Sequence, residues 1–248
     1  MISPVGSELL QGLLEEIGRS ADKLADIELS GFLATEGAAY VGELMWIGRA
    51  VNGWKIIGSP RDFASSQHID KTMENFGNAD RDTCQLRWIT QDWGQKTNYN
   101  PATSAFWRTA KRTLLAPNEI DEFWSSRLVW SNLYKIAPSK GGNPGRKLQK
   151  IQLLFCRDIL VQEIVAFRPR RVVFATGMDW AEPFLDNPLF VRTDSKAFGQ
   201  YVPGLGDLIL NDEKIGEFVI APHPQGKDED RWVEEIRAAL RVDLTVGP

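Results

Sequence analysis

Only two histidines and two cysteines occur in the 248 residues, so few groups titrate near neutrality. His223 has the most suggestive surroundings. It follows the apolar run at 217–221 (EFVIA) inside Pro222-His223-Pro224-Gln225-Gly226-Lys227, just ahead of a helix-forming segment. An imidazole at a strand end beside a helix start can donate to a developing anion, and the helix dipole favours its neutral form. Asn132 ends a second apolar run, in the stretch LVWSNLYKIAPSKGGNP at 128–144. Its amide both donates and accepts, so it suits a ligand edge that offers both an acceptor and a donor. Tyr134 and Lys135 follow it, and Lys140 lies in the glycine- and proline-rich loop beyond. A third apolar run, 43–47 (ELMWI), leads into Gly48-Arg49-Ala50-Val51-Asn52-Gly53-Trp54. Gly48 there would let a ligand approach the backbone closely.

Each of these groups also has a plain structural reading. Strand ends often carry a turn asparagine or glycine, lone histidines are often structural, and surface lysines are usually solvated. What sets them apart is that all fall at strand ends. In an open α/β sheet, ligands bind at the carboxyl ends of the strands.

The elements that must position them can be read from periodicity. Residues 7–27 read as an amphipathic helix, with Ser7 as N-cap and Leu9, Leu10, Leu13, Leu14 and Ile17 on its apolar face. Residues 55–100 are polar and poorly periodic, a long insertion in which Trp88 and Trp93 either fill the core or stack on bases. A helix is expected at 103–115, with Phe106 and Trp107 on its apolar side and Arg108, Lys111 and Arg112 on a basic side. A short helix follows at 119–124, then a strand at 128–132. Residues 147–167 form a long helix, apolar on two sides, that includes Cys156. A strand at 171–176, closed by Gly177, precedes a short helix at 178–185. Residues 186–214 read as an irregular excursion with a small strand at 208–210. The strand at 217–221 and a closing helix at 228–240 complete the chain.

Four apolar strands alternating with helices predict an α/β fold: a three-layer α/β/α sandwich around a mainly four-stranded parallel sheet, in a single domain spanning 1–248. The strand ends at 48–52, 132–135, 176–177 and 223 are expected to converge on one rim.

Composition suits a water-soluble core, with 43% hydrophobic and 25% charged residues. No apolar run reaches membrane-spanning length, and the amino-terminal residues lack the basic start of a secretory signal. Two cysteines exclude a four-cysteine metal or cluster site. A cytoplasmic protein without metal or cofactor is expected. The net charge is −4, but residues 93–157 hold eleven basic and three acidic side chains. A chain polarised in this way can turn a basic face to phosphates.

With the strand ends in place, the sequence resembles the uracil-DNA glycosylase superfamily over about 43–240, apart from the insertion. Asn132-Leu133-Tyr134-Lys135-Ile136-Ala137-Pro138, with Asn143-Pro144, is similar to that family's strand-end asparagine, lysine and proline-rich loop. His223-Pro224-Gln225-Gly226 is similar to its final histidine–proline loop, with Gln225 in place of a serine. Gly48 to Asn52 stands where the family has its first motif. There Arg49, Ala50 and Val51 replace the water-placing acid and proline, and Asn52 is the nearest suitable group. Asp62 and Asp92 in the insertion are further candidates for placing the water.

The resemblance implies a catalytic His223, with Asn52 orienting water. It implies base contacts from Asn132, Tyr134, Phe106 and Gly48, and phosphate contacts from Lys135, Lys140, Lys227 and Gln225. It implies a monofunctional DNA glycosylase, a monomer acting on a flipped uracil or other modified pyrimidine in single- or double-stranded DNA. Repair, or defence against phage with modified DNA, follows as its role. A non-catalytic binder of single-stranded or damaged DNA on the same fold is the alternative, because the water-placing acid is missing. A nucleotide-processing hydrolase is a weaker third, since no phosphate loop is present.

Overall fold

The structure is a computed structural model that describes residues 4–51, 53–77, 84–96, 99–193 and 198–241. In chain order its elements are helix α1 (Pro4–Arg19), strands β1 (Leu29–Gly31), β2 (Thr35–Glu36), β3 (Leu44–Ala50) and β4 (Lys55–Gly58), and helices α2 (Ser66–Gly77), α3 (Arg87–Gln91) and α4 (Ala105–Leu114). Strands β5 (Leu128–Tyr134) and β6 (Ile136–Pro138), helix α5 (Arg146–Phe167), strand β7 (Arg171–Ala175) and helix α6 (Met178–Ala181) follow. Strands β8 (Phe190–Thr193), β9 (Gly204–Leu210) and β10 (Glu213–Ala221) lead to helix α7 (Glu229–Ala239). The protein is thus mixed α/β, and its larger sheet includes parallel strands. The chain divides into two compact units of interleaved segments: 1–34, 48–80 and 131–167 in the first, 35–47, 81–130 and 168–248 in the second.

In the first unit, α1 lies against α5. Leu10, Leu13, Leu14 and Ile17 are all buried, as their spacing requires. The helix begins at Pro4, not after a Ser7 cap; proline suits a first helical turn, whose N–H groups have no partner within the helix. Gly18 is there because Phe63 crosses the helix so closely that a Cβ would stand 2.3 Å from its carbonyl oxygen. The buried stripe of α5 contains Leu148, Cys156, Ile159, Leu160 and Ile164, but also Gln152 and Glu163, while Leu154 is exposed. A small antiparallel sheet of order β4-β1-β6 completes the unit. Pro138 ends its edge strand β6, a position where a missing N–H costs no ladder bond.

The second unit is built on a seven-stranded sheet of order β2-β5-β3-β7-β10-β9-β8, to which β3 contributes Leu44–Ile47 and β5 contributes residues 128–130. The four strands read from sequence are its central neighbours β5, β3, β7 and β10. β3 and β10 both run parallel to β7, with Ile47 opposite Phe174 and Ala221 opposite Ala175. The sheet is larger and more mixed than four parallel strands. β2 adds antiparallel to β5, and β9 and β8 add antiparallel beyond β10. The small strand expected at 208–210 is the end of β9, and β8 and the rest of β9 replace part of the irregular excursion expected at 186–214. A two-residue turn joins β9 to β10, with Asn211 and Asp212 at φ 51° and 65°. Asn and Asp tolerate that left-handed region, and such turns match the twist of a hairpin. β9 alternates buried and half-buried residues along most of its length, as a strand covered on one face does.

Helix α4 packs on α7, burying Trp107, Ala110 and Leu114 on one and Trp232, Val233 and Ile236 on the other. Asp228 caps α7, accepting from the N–H groups of Asp230 and Arg231. The helix expected at 119–124 is instead an acidic loop folded onto Arg127. That guanidinium reaches Glu43 at 3.0 Å, Glu119 at 2.6 Å and Asp121 at 3.5 Å. Propensity for a short helix lost to the clustering of three carboxylates on one cation. The insertion carries elements of its own, β4, α2 and α3.

Two glycine substitutions test this packing. Gly18→Ala should destabilise by about 2–3 kcal/mol, because backbone rather than a flexible side chain must move. Gly142→Ala, at φ 93° in open space, should cost only about 1 kcal/mol. Urea midpoints at unchanged slope measure both; equal losses would show that Gly18 is not closely crossed.

Candidate functional site

In the second unit, β7 and β10 end side by side. Gly177 at φ 91° turns the chain after Thr176, and its N–H donates to Ala221 at 2.7 Å. Beyond Ala221 come Pro222 and His223. Trp232 on α7 donates its indole N–H to the Pro222 carbonyl at 3.0 Å, which fixes the start of this loop. His223 is half-buried and lies parallel to Phe106, with centroids 6.2 Å apart and planes at 15°. Phe106 in turn meets Trp46 and Trp107 edge-on at 5.9 and 4.9 Å. The backbone N–H of Gln225 donates to His223 Nδ1 at 3.3 Å. An Nδ1 that accepts leaves the proton of the neutral ring on Nε2. The loop thus presets the tautomer in which Nε2 is a donor. His223, Phe106 and Gln225 are brought together, Gln225 through its backbone; its side chain is exposed, as is Lys227.

In the first unit the strand end behaves differently from expectation. Lys135 does not face phosphate. It is fully buried, and its ammonium donates to Glu163 Oε2 at 2.7 Å, to the Asn132 carbonyl at 2.7 Å and to Ser131 Oγ at 2.9 Å. Ser131 Oγ also donates to Glu163 Oε2 at 2.7 Å, and Glu163 Oε1 accepts from the Ala34 N–H at 2.9 Å. An ammonium with three protein acceptors has no donor left for a phosphate oxygen. Around this triangle, Gln152 exchanges both amide bonds with the backbone of Ile136, and Cys156 Sγ accepts from the Lys135 N–H at 3.4 Å. Burial pushes the Cys156 thiol up to about 12, and burial also raises Tyr134, with Cys156 as a smaller cause.

Asn132 is 2% exposed, yet its Nδ2 has no hydrogen-bond partner among the described residues. Enclosing an unsatisfied donor costs about 1–3 kcal/mol, so such an atom calls for an explanation. Trp46 Nε1, Thr113 Oγ1 and Arg237 Nε are in the same condition elsewhere. Gly48 is buried within β3, not in a turn after it, since the strand runs on to Ala50. Tyr134 is buried at the end of β5, and Lys140 is exposed. Asn52 lies outside the described residues. Asp62 closes its own turn by accepting from the Ser59 N–H at 2.7 Å, a bond that holds its carboxyl below the usual carboxylate range. Asp92 is half-buried and caps α3.

The tryptophans of the insertion join the aromatic core of the second unit. Trp88 contacts Trp107 and Trp130 at 5.8 and 6.2 Å, and Trp93 meets buried Trp124 edge-on at 5.6 Å. Sequence reasoning missed Ser131 and Glu163. A charged residue on the apolar stripe of α5, four turns along from Leu148, was the available signal. Among the described residues no cluster of three or more His, Cys, Asp or Glu could hold a metal ion, and no helix is long and apolar enough to cross a membrane.

The two thiols should differ in reactivity. At pH 8, a thiol displaced to about 12 is thiolate for only about one part in ten thousand. A thiol-specific chromogenic reagent should therefore modify half-buried Cys84 in the native protein and Cys156 only on unfolding; rapid reaction of both would contradict the burial of Cys156. No protein-family model matches the chain, and no curated protein does.

Proposed function

We propose that the protein is a DNA glycosylase that hydrolyses the N-glycosidic bond of uracil or another modified pyrimidine, on a three-layer sandwich around the central strands β5, β3, β7 and β10. The observation that carries this is Asn132, whose amide nitrogen is enclosed and unpaired at the end of β5. An acceptor on a flipped pyrimidine supplies the missing bond, and the amide oxygen accepts from the ring N–H. His223, with its neutral tautomer set by the Gln225 N–H, donates through Nε2 to a carbonyl oxygen of the departing base. The bond between the base nitrogen and the sugar carbon breaks, and the electron pair leaves with the base. Water adds its oxygen to the oxocarbenium carbon, and its proton ends on the base. The products are a free base and an abasic site.

The pattern of charge supports a polyanionic partner. Arg108 and Arg112 are held by Glu229 and Asp230, and Arg127 and Lys135 by their own carboxylates. Lys140, Arg146, Lys147 and Lys150 are exposed and take part in no ion pair among the described residues. Three of these crowd the first turns of α5, where the helix dipole disfavours cations and like charges three and four residues apart repel. Phosphates relieve both strains. A second reading, a non-catalytic binder of damaged or single-stranded DNA, is favoured by residues 48–51, which offer no carboxylate to take a proton from water.

Oligonucleotides each carrying one altered pyrimidine, followed by alkaline cleavage, test the proposal. The wild type should cleave at least one, His223→Ala should lower excision at least a hundredfold with binding nearly kept, and Asn132→Ala should lower excision and flatten selectivity. Tight binding with no cleavage of any base would favour the binder. Replacing Lys140, Arg146, Lys147 and Lys150 by glutamine should reduce the slope of log affinity against log salt by about 0.7–0.9 per residue, measured on unmodified DNA. An unchanged slope would remove these side chains from the DNA contact.

A further inference from the structure

We propose that Lys135 and Glu163 are positioning residues that preset the Asn132 amide for its ligand. The proposal rests on the base-recognition role given to Asn132 above.

The pair is an expensive way to fill a core. Removing two charges from water costs more than packing two apolar side chains of similar size, and such pairs are often replaceable without loss of stability. What an apolar pair cannot do is fix a peptide group in direction. Lys135 Nζ holds the Asn132 carbonyl at 2.7 Å, which sets the plane of the peptide leaving Asn132 and so the direction of its Cα–Cβ bond. The ammonium cannot shift, because its other protons bind Ser131 Oγ and Glu163 Oε2. The carboxylate cannot rotate, because its second oxygen accepts from Ala34 N and its first also accepts from Ser131 Oγ. Gln152 and Cys156 tie the next two residues of the chain, Lys135 and Ile136, to the same helix. In this cluster Ser131, Lys135, Gln152, Cys156 and Glu163 all have partners, and Asn132 Nδ2 has none among the described residues. A network closed everywhere except at one donor is preorganised for whatever meets that donor.

Lys135→Met alone strands a buried carboxylate and can unfold the protein. The double variant Lys135→Met/Glu163→Gln removes both charges, keeps an amide oxygen to accept from the Ala34 N–H and puts an amide NH2 where it can donate to Ser131 Oγ. Should it not fold, Ser131→Ala opens one arm of the triangle with both charges kept and carries the same readouts. In the full-length protein, three quantities are measured: excision on the oligonucleotide panel, affinity for unmodified DNA, and hydrogen exchange of the Asn132 side-chain amide by NMR, assigned by its loss in Asn132→Asp. The expected result is a fall in kcat of about tenfold or more, affinity for unmodified DNA within about twofold, and faster amide exchange. Unchanged excision and unchanged exchange in a folded variant would overturn the proposal, as would an equal loss of excision and of DNA affinity. If the wild type excises no base, the glycosylase assignment fails separately. The amide then decides alone: faster exchange in the variant upholds the positioning role, and unchanged exchange overturns it.

Discussion

An ammonium group taken wholly out of water must find an anion and further acceptors, and in the first unit that demand organises everything around Lys135. Its anion, Glu163, comes from the last turns of α5, and its other acceptors, Ser131 and Asn132, come from β5. Strand end and helix are therefore locked in register by charge as well as by the packing of Cys156, Ile159 and Leu160. Had the partner been water, the strand end would be free to fray, as exposed strand ends do. The cost of burial falls on stability, and what it secures is a fixed backbone at the residue with an unpaired amide.

The second unit reaches the same end by different means. Here the fixed element is a parallel register, Ala175 opposite Ala221, followed by two turns that the sheet holds together through the Gly177 N–H. His223 is steadied by an aromatic face on one side and a backbone N–H on Nδ1. In the neutral ring an accepting Nδ1 leaves Nε2 as the donor.

Charge is distributed according to use. The arginines of α4 and of the loop before β5 are structural, each held by carboxylates from other parts of the second unit. Those pairs are partly exposed and contribute little each, yet they neutralise what looked in sequence like one continuous basic segment. Among the described residues, exposed cations outside these pairs cluster in the loop after β6 and the opening turns of α5, where open space surrounds Gly142 and Gly145.

Burial and periodicity along the chain were enough to mark the four central strands, α5 and α7, because a segment covered on both faces or on one stripe must be apolar there whatever its neighbours are. The same logic placed Phe106 on a helix and His223 just past a strand end, where they are found. In β9 periodicity marks only 208–210, because the glycines at 204 and 206 carry no side chain to continue the alternation, while Asn211-Asp212 suits the turn of the hairpin. Lys135 could not be read correctly from the chain alone. A lysine after a strand is a surface lysine unless a carboxylate 28 residues later folds onto it, and no local pattern records that encounter. Sequence determines which segments must leave water; only tertiary structure decides which charges meet once they have left, because Coulomb partners are chosen by distance in space and not along the chain.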